Sequence, residues 1–241
     1  MAAGLQEISR VVPIAATESE DVFRFGLSDI EFRLVTTDDA WLRVAYDLLL
    51  SGFDANVLDP YERYVEWLGL NERGQHLFPF LMMVAFVRDG PTAHVLGVIS
   101  GNVMRTGDYL TDDQAPPEEV CFFAIGHQIT SPELRKAGIK GVGSRLWQAA
   151  HDVARTWARN LDGVLRYSVL EAESDSLGFW TKMGYLWPQG VPYWQPPLEF
   201  DSQGIFVHPE VPEILMLHPL EGAVPTRSAE SCFAKLSPPS T

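Results

Sequence analysis

The feature that most constrains this chain is the junction Ser131–Gly143. It reads Ser-Pro-Glu-Leu-Arg-Lys-Ala-Gly-Ile-Lys-Gly-Val-Gly and joins an apolar strand to a long amphipathic helix. Glycines at 138, 141 and 143 let a backbone turn tightly and approach a ligand closely. The first N–H groups of the following helix have no acceptor within it, and the helix dipole favours an anion there. Charge agrees with that geometry. The chain holds 18 Lys+Arg against 32 Asp+Glu over 241 residues, a net charge of −14. Yet Arg135, Lys136, Lys140 and Arg145 fall in one eleven-residue run without an acid, where an even spread would put about one base. A positive spot on an acidic protein suits a pyrophosphate. A flexible connection with solvated charges would leave the same trace. No Lys-Ser/Thr pair follows the glycines, so this is not a P-loop. A dinucleotide-binding fingerprint should follow the first strand of its unit, and this junction follows the fourth predicted one.

The flanking elements alternate in type. Phe32–Val35 reads as a short strand. Trp41, Val44, Ala45, Leu48 and Leu49 set a helical period over Asp39–Ser51, with Gly52 as its stop. Asp59 and Pro60 read as N-cap and first residue of a second helix reaching about Leu70, with Tyr61, Tyr64, Val65 and Leu68 on its apolar side. Strands follow at Leu81–Val87, apolar on both faces, and at His94–Met104. A polar loop, Thr106–Pro117, leads to a strand over Glu119–Thr130. The long helix spans Gly141–Asn160, with a stripe of Val142, Leu146, Ala149, Val153 and Trp157 widened by Trp147, Ala150, Ala154 and Ala158. A strand at Val164–Leu170, a short helix over Ser174–Met183 stopped by Gly184, a Pro- and Trp-rich loop over Trp187–Pro197 and a strand over Pro212–Leu220 complete the pattern. This predicts an α/β fold with a mixed sheet flanked by helices on both faces. Residues 1–30 read as an N-terminal extension, 31–220 as the domain, and 221–241, rich in Ser, Pro and Ala, as a weakly structured tail.

With 46% hydrophobic residues the chain has material for a full core. The acid excess disfavours nucleic acid and anionic membranes as partners. Two cysteines, Cys121 and Cys232, are too few for a disulfide framework or a zinc cluster, so no metal is expected and a reducing cytoplasm is the expected location. Met1–Arg10 lacks the pattern of a signal peptide, and the most apolar run, Leu77–Val87, is about half a membrane span.

Strand, x-x-Gly-x-Gly turn and long helix together resemble the acyl-CoA pyrophosphate loop of the GNAT N-acetyltransferase superfamily. That family's pattern is Gln/Arg-x-x-Gly-x-Gly/Ala. Gly138-Ile139-Lys140-Gly141-Val142-Gly143 matches both glycines, with Gly138 in place of the leading Gln/Arg. Glu119–Ile125 resembles the fourth strand of the histone-acetylating branch, and Gly178–Tyr185 resembles x-Phe-Tyr-x-x-x-Gly-Phe. The order of elements agrees over Phe32–Leu220. The resemblance implies transfer of an acyl group, acetyl foremost, from coenzyme A to a primary amine. It implies a cofactor set of Ile129, Thr130, Gly138, Ile139, Lys140, Gly141, Val142, Gly143, Ser144, Arg145 and Trp180.

Such a reaction needs a base to free the amine. The resemblance places Glu119 there, although adjacent Glu118 and Glu119 after Pro116-Pro117 also read as a solvated strand start. His127, in the same strand and on the face of Cys121, Phe123 and Ile125, is the competitor; a hydrogen-bonded structural histidine is its other reading. Glu171 and Glu173 would hold a cationic substrate or stabilise the next helix. Cys121 reads as a small buried hydrophobe. In the family an Asn, an Ala and then a Tyr begin the helix after the fifth strand, and the Tyr protonates the leaving thiolate. Here those positions hold Glu173, Ser176 and Trp180. Trp180 is therefore expected to pack beside the pantetheine arm, with no tyrosine acid required. The acceptor is expected to be a small, cationic amine. A longer acyl donor, a peptide or protein acceptor, and a non-catalytic CoA-binding module remain open, as does the choice between monomer and homodimer.

Overall fold

The structure is a computed structural model that describes residues 10–13, 25–37, 40–70, 78–105, 121–161, 163–173, 176–185, 199–200, 206–207 and 213–220. Its elements are β1 (Arg10–Pro13), β2 (Glu31–Leu34), α1 (Ala40–Leu50), α2 (Tyr61–Trp67), β3 (Phe80–Asp89), β4 (Thr92–Arg105), β5 (Cys121–Thr130), α3 (Pro132–Lys136), α4 (Val142–Asn160), β6 (Leu165–Glu173), α5 (Leu177–Lys182), β7 (Glu199–Phe200), β8 (Phe206–Val207) and β9 (Glu213–Pro219), with a 3-10 turn at Leu27–Asp29. The strands order β2-β3-β4-β5-β6-β9 in a mixed sheet flanked by helices, as expected, and β1 also pairs with β4. The β1/β4 and β5/β6 pairs are parallel, whereas β2/β3 and β6/β9 are antiparallel. The chain clusters into two compact units, one of Met1–Gly101 with His127–Asp152 and one of Asn102–Gly126 with Val153–Thr241.

In the first unit the helical period of α1 buries Trp41, Leu42, Val44, Ala45, Leu48 and Leu49. They pack with Phe80, Met82, Val84 and Phe86 of β3, and with Ala93 and Val95 of β4. Burying each leucine stabilises the unit by about 1.5–3 kcal/mol. The other face of β3, carrying Leu81, Met83, Ala85 and Val87, is buried as well, so the continuous apolar run is a strand covered on both sides. Arg10–Pro13 lies inside the stretch read as an extension. It adds a strand in register with Thr92–Val95, so the predicted fourth strand is β5.

Several local expectations shift. Pro60 is the N-cap of α2 rather than its first helical residue, and Val65 is exposed. Residues 132–136 form a short helix because Ser131 caps it, its Oγ accepting from Glu133 N–H at 3.4 Å, with proline next in the chain. On α4 the buried arc is turned from the expected stripe. Leu146, Trp147, Ala150, His151, Ala154 and Ala158 are buried, whereas Ala149, Val153 and Trp157 sit at its half-buried margin. The alanines, four residues apart, give the close-packing side.

In the second unit β6 runs on to Glu173, placing Glu171 and Glu173 within the strand opposite Leu215 and Glu213 rather than after it. Helix α5 starts after Ser176; the expected cap, Ser174, lies outside the described residues. Gly184 ends it with φ +91°, and a Cβ there would come within 2.9 Å of His218 Nε2, so both backbone and space require glycine.

Candidate active site

The first unit contains the glycine junction. Gly138 and Gly141 have φ of +72° and +91°, a backbone that L side chains rarely adopt. The Ile139 N–H donates to Leu134 O at 2.9 Å. The first bond of α4 runs from Arg145 N–H to Gly141 O at 3.1 Å. The N–H groups of Val142, Gly143 and Ser144 therefore begin the helix with no acceptor inside it. Gln128 Nε2 donates to Gly143 O at 3.2 Å and ties this helix start to β5. Of the four bases, Lys136 pairs with Glu133 at 2.7 Å. The Arg145 guanidinium donates to Leu27 O and lies 5.9 Å from the centre of the Phe32 ring. Arg135 and Lys140 are exposed. Among the described residues, the loop is thus positive and carries its donors on one helix start.

The strand leading into it has an open edge. Pairing of β5 with β6 ends at Ile125↔Leu170, and β5 continues through Gly126–Thr130. Along those residues no strand pairs with the edge away from β4 among the described residues. Ile129 turns its side chain to the α1–α2 core, so close to Gly52 that a Cβ there would lie 2.0 Å from Ile129 Cδ1. Thr130 stands against Gly97, where a Cβ would come within 2.9 Å of Ile129 O and 3.3 Å of Thr130 Cγ2. Gly97 thus lets β4 approach the end of β5; nothing in its local sequence set it apart from an ordinary strand glycine.

His127 is half-buried on β5. Its ring stands edge-on to Phe53, with centroids 5.1 Å apart, and its Nδ1 lies 3.4 Å from Ser100 Oγ. Ser100 is fully buried. Burial lowers the His127 pKa, opposed by the nearby Asp59 carboxylate, so the ring is neutral at pH 7. Phe53 and Ser100 were not singled out in the sequence because they belong to other elements. Glu119 lies outside the described residues, as does the Pro- and Trp-rich loop over 187–197.

In the second unit Cys121 is fully buried, with Gly163 so close that a Cβ there would lie 2.4 Å from its Sγ. Trp180 is buried edge-on against Phe179 and Tyr185. The Tyr185 hydroxyl is 2.6 Å from Ser168 Oγ, which donates to Phe123 O at 3.2 Å. A serine has one hydroxyl proton, so Tyr185 is the donor in its pair. Its phenol proton is thereby committed inside the core. Among the described residues no cluster of His, Cys, Asp or Glu could hold a metal, and no helix is long and apolar enough to cross a membrane.

No protein-family model matches the sequence, and no curated protein matches it. Solved structures do. Arabidopsis thaliana NAA60 in complex with a bisubstrate analogue aligns at a TM-score of 0.52 and 13% identity, covering 80% of this chain and 99% of that one. The same protein in complex with acetyl-CoA aligns at 0.51 and 12% identity over the same shares. The fold is that of the GNAT N-acetyltransferases, and at this identity the likeness establishes the fold alone.

Proposed function

We propose that the protein transfers an acyl group, acetyl foremost, from coenzyme A to a primary amine by direct attack. The observation that carries this reading is the start of α4. Three N–H groups begin it without an acceptor in the helix, Gly138 and Gly141 hold the left-handed turns before it, and no acid interrupts its eleven-residue basic run. Val142, Gly143 and Ser144 would bind the pyrophosphate through backbone N–H groups, with Lys140 adding charge. The acyl-CoA supplies an activated thioester. Among the described residues no strand pairs with Gly126–Thr130 on the edge away from β4, and that backbone edge offers donors to its carbonyl. Glu119 is proposed as the base, directly or through water. The net charge of −14 favours a small cationic amine over an anionic acceptor.

One feature favours a second reading, a CoA-binding module without turnover: Trp180 stands where the family pattern has its acid, and the nearest tyrosine, Tyr185, is sealed by Ser168. Thiol release from acetyl-CoA across a panel of amines, beside a binding titration, separates the two. Release with at least one amine supports the transferase. Saturable binding without release on any amine supports the module, and no binding overturns both.

A further inference from the structure

Resting on that acyltransferase reading, we infer that His127 is a hydrogen-bond donor to the reacting carbonyl and not the base, its tautomer set by Ser100. The argument starts from the hydroxyl. Ser100 is fully buried on β4, and among the described residues its one hydrogen-bonding neighbour is His127 Nδ1, at 3.4 Å. A buried hydroxyl proton left without an acceptor costs about 1–3 kcal/mol. If the Nδ1 of the neutral ring carried its proton, that nitrogen would donate to Ser100 Oγ and strand the serine proton in the core. If Ser100 donates to the Nδ1 lone pair, both atoms are satisfied. The ring proton then sits on Nε2.

Among the described residues nothing pairs with Nε2, and it is not sealed in the core. An Nε2–H can donate to oxygen, but a neutral ring holding its proton there has no lone pair left to deprotonate an ammonium. Burial keeps the ring neutral near pH 7. The Phe53 ring packs against the imidazole with centroids 5.1 Å apart, and the Asp59 carboxylate, which favours the charged ring, is outweighed by burial. A neutral imidazole in this tautomer stabilises negative charge as a fixed dipole. In the reaction the amine lone pair forms the C–N bond and the C–S bond breaks, its electron pair leaving on sulfur. The ammonium proton goes to water, and the carbonyl oxygen takes the Nε2–H hydrogen bond while it carries charge.

Two measurements test this. The first needs no ligand: ¹⁵N-edited NMR of the histidine rings at pH 7.5 in the wild type and in Ser100→Ala. The Nε2–H tautomer is expected for His127, mixing with Nδ1–H in Ser100→Ala. A predominantly Nδ1–H wild type overturns the assignment. The second is the infrared carbonyl stretch of bound ¹³C-labelled acetyl-CoA. It should lie at lower frequency in the wild type than in His127→Ala, and His127→Gln, which keeps a donor, should restore part of the shift. Binding with the same stretch in wild type and His127→Ala overturns this inference alone. Absence of acetyl-CoA binding overturns the transferase reading on which it rests. Where an accepted amine is known, His127→Ala should lower kcat by about 10²–10³, the scale for one oxyanion donor. His127→Gln should stay within about tenfold of wild type, whereas loss in His127→Gln equal to that in His127→Ala would mark a base.

Discussion

Gly141 is held by its backbone: its φ of +91° disfavours any side chain, although a Cβ there would meet Leu27 Cδ1 only at an ordinary contact distance of 3.4 Å. Lys140 beside it is exposed and contributes charge alone. Lys140→Ala should therefore weaken acetyl-CoA binding by only about fivefold by calorimetry, the scale of one exposed charge contact. A loss near a hundredfold would shift the weight of binding from backbone to side chain. Tyr185 poses the opposite case. Its phenol is buried and donates to Ser168, so it has no proton to offer a thiolate. Tyr185→Phe should lower thermal stability through the lost hydrogen bond, by about 1–3 kcal/mol. Turnover per folded molecule should be kept, with no high-pH limb assignable to a phenol. A folded Tyr185→Phe protein that binds both substrates yet does not turn over would contradict this.

The helices and strands draw their stability from a few faces. Leu48 of α1 is buried among the β3 and β4 side chains, so Leu48→Ala should cost about 2–5 kcal/mol in chemical denaturation. A cost below 1 kcal/mol would mean that the site collapses around the cavity. Elements with a strong period were legible before the structure: α1 from its apolar spacing, β3 from its two-sided apolar run, α4 and its glycine start. The elements missed have physical reasons. Strand β1 has four residues and gains its place from pairing with β4, a partner about eighty residues away. The cap that makes α3 was present as Ser131-Pro132-Glu133 but stood within a segment too short to show a period. The face of α4 turned because small alanines allow close approach while Trp157 fits at a margin. In the candidate site, the left-handed turns at Gly138 and Gly141 were readable because backbone geometry leaves a glycine signature. The Ser100–His127 pair joins residues 27 apart on two strands, and no local pattern marks such a pair.

For the whole molecule, pH acts through two imidazoles whose pKa burial lowers, His94 and His127. His94 on β4 is buried, and among the described residues neither ring nitrogen has a hydrogen-bond partner. Burial first and the Arg10 charge also lower its pKa, against the opposing pull of Asp89. Burial lowers that of His127 as well. In each case the unfolded chain, titrating near 6.5, binds more proton than the folded one in the window between the folded value and 6.5. Their contribution to stability is full above 6.5 and is lost as pH falls through the folded values. The thermal midpoint should therefore drop between pH 7 and pH 5, and less steeply in His94→Leu. Equal slopes would remove His94 from the account. The acid excess bears on rate: kcat/KM for a cationic amine should fall with added salt, as screening weakens its attraction.

The central claim is that the start of α4 binds the pyrophosphate of an acyl-CoA through its backbone. Calorimetric titration of acetyl-CoA into the wild type and into folded Gly141→Glu tests it most directly, because glutamate adds both a side chain at positive φ and a negative charge at the helix start. The wild type should bind saturably at one site, with binding lost or weakened at least a hundredfold in Gly141→Glu. Equal affinity in the two proteins, or a wild type that binds no acetyl-CoA, would contradict the claim.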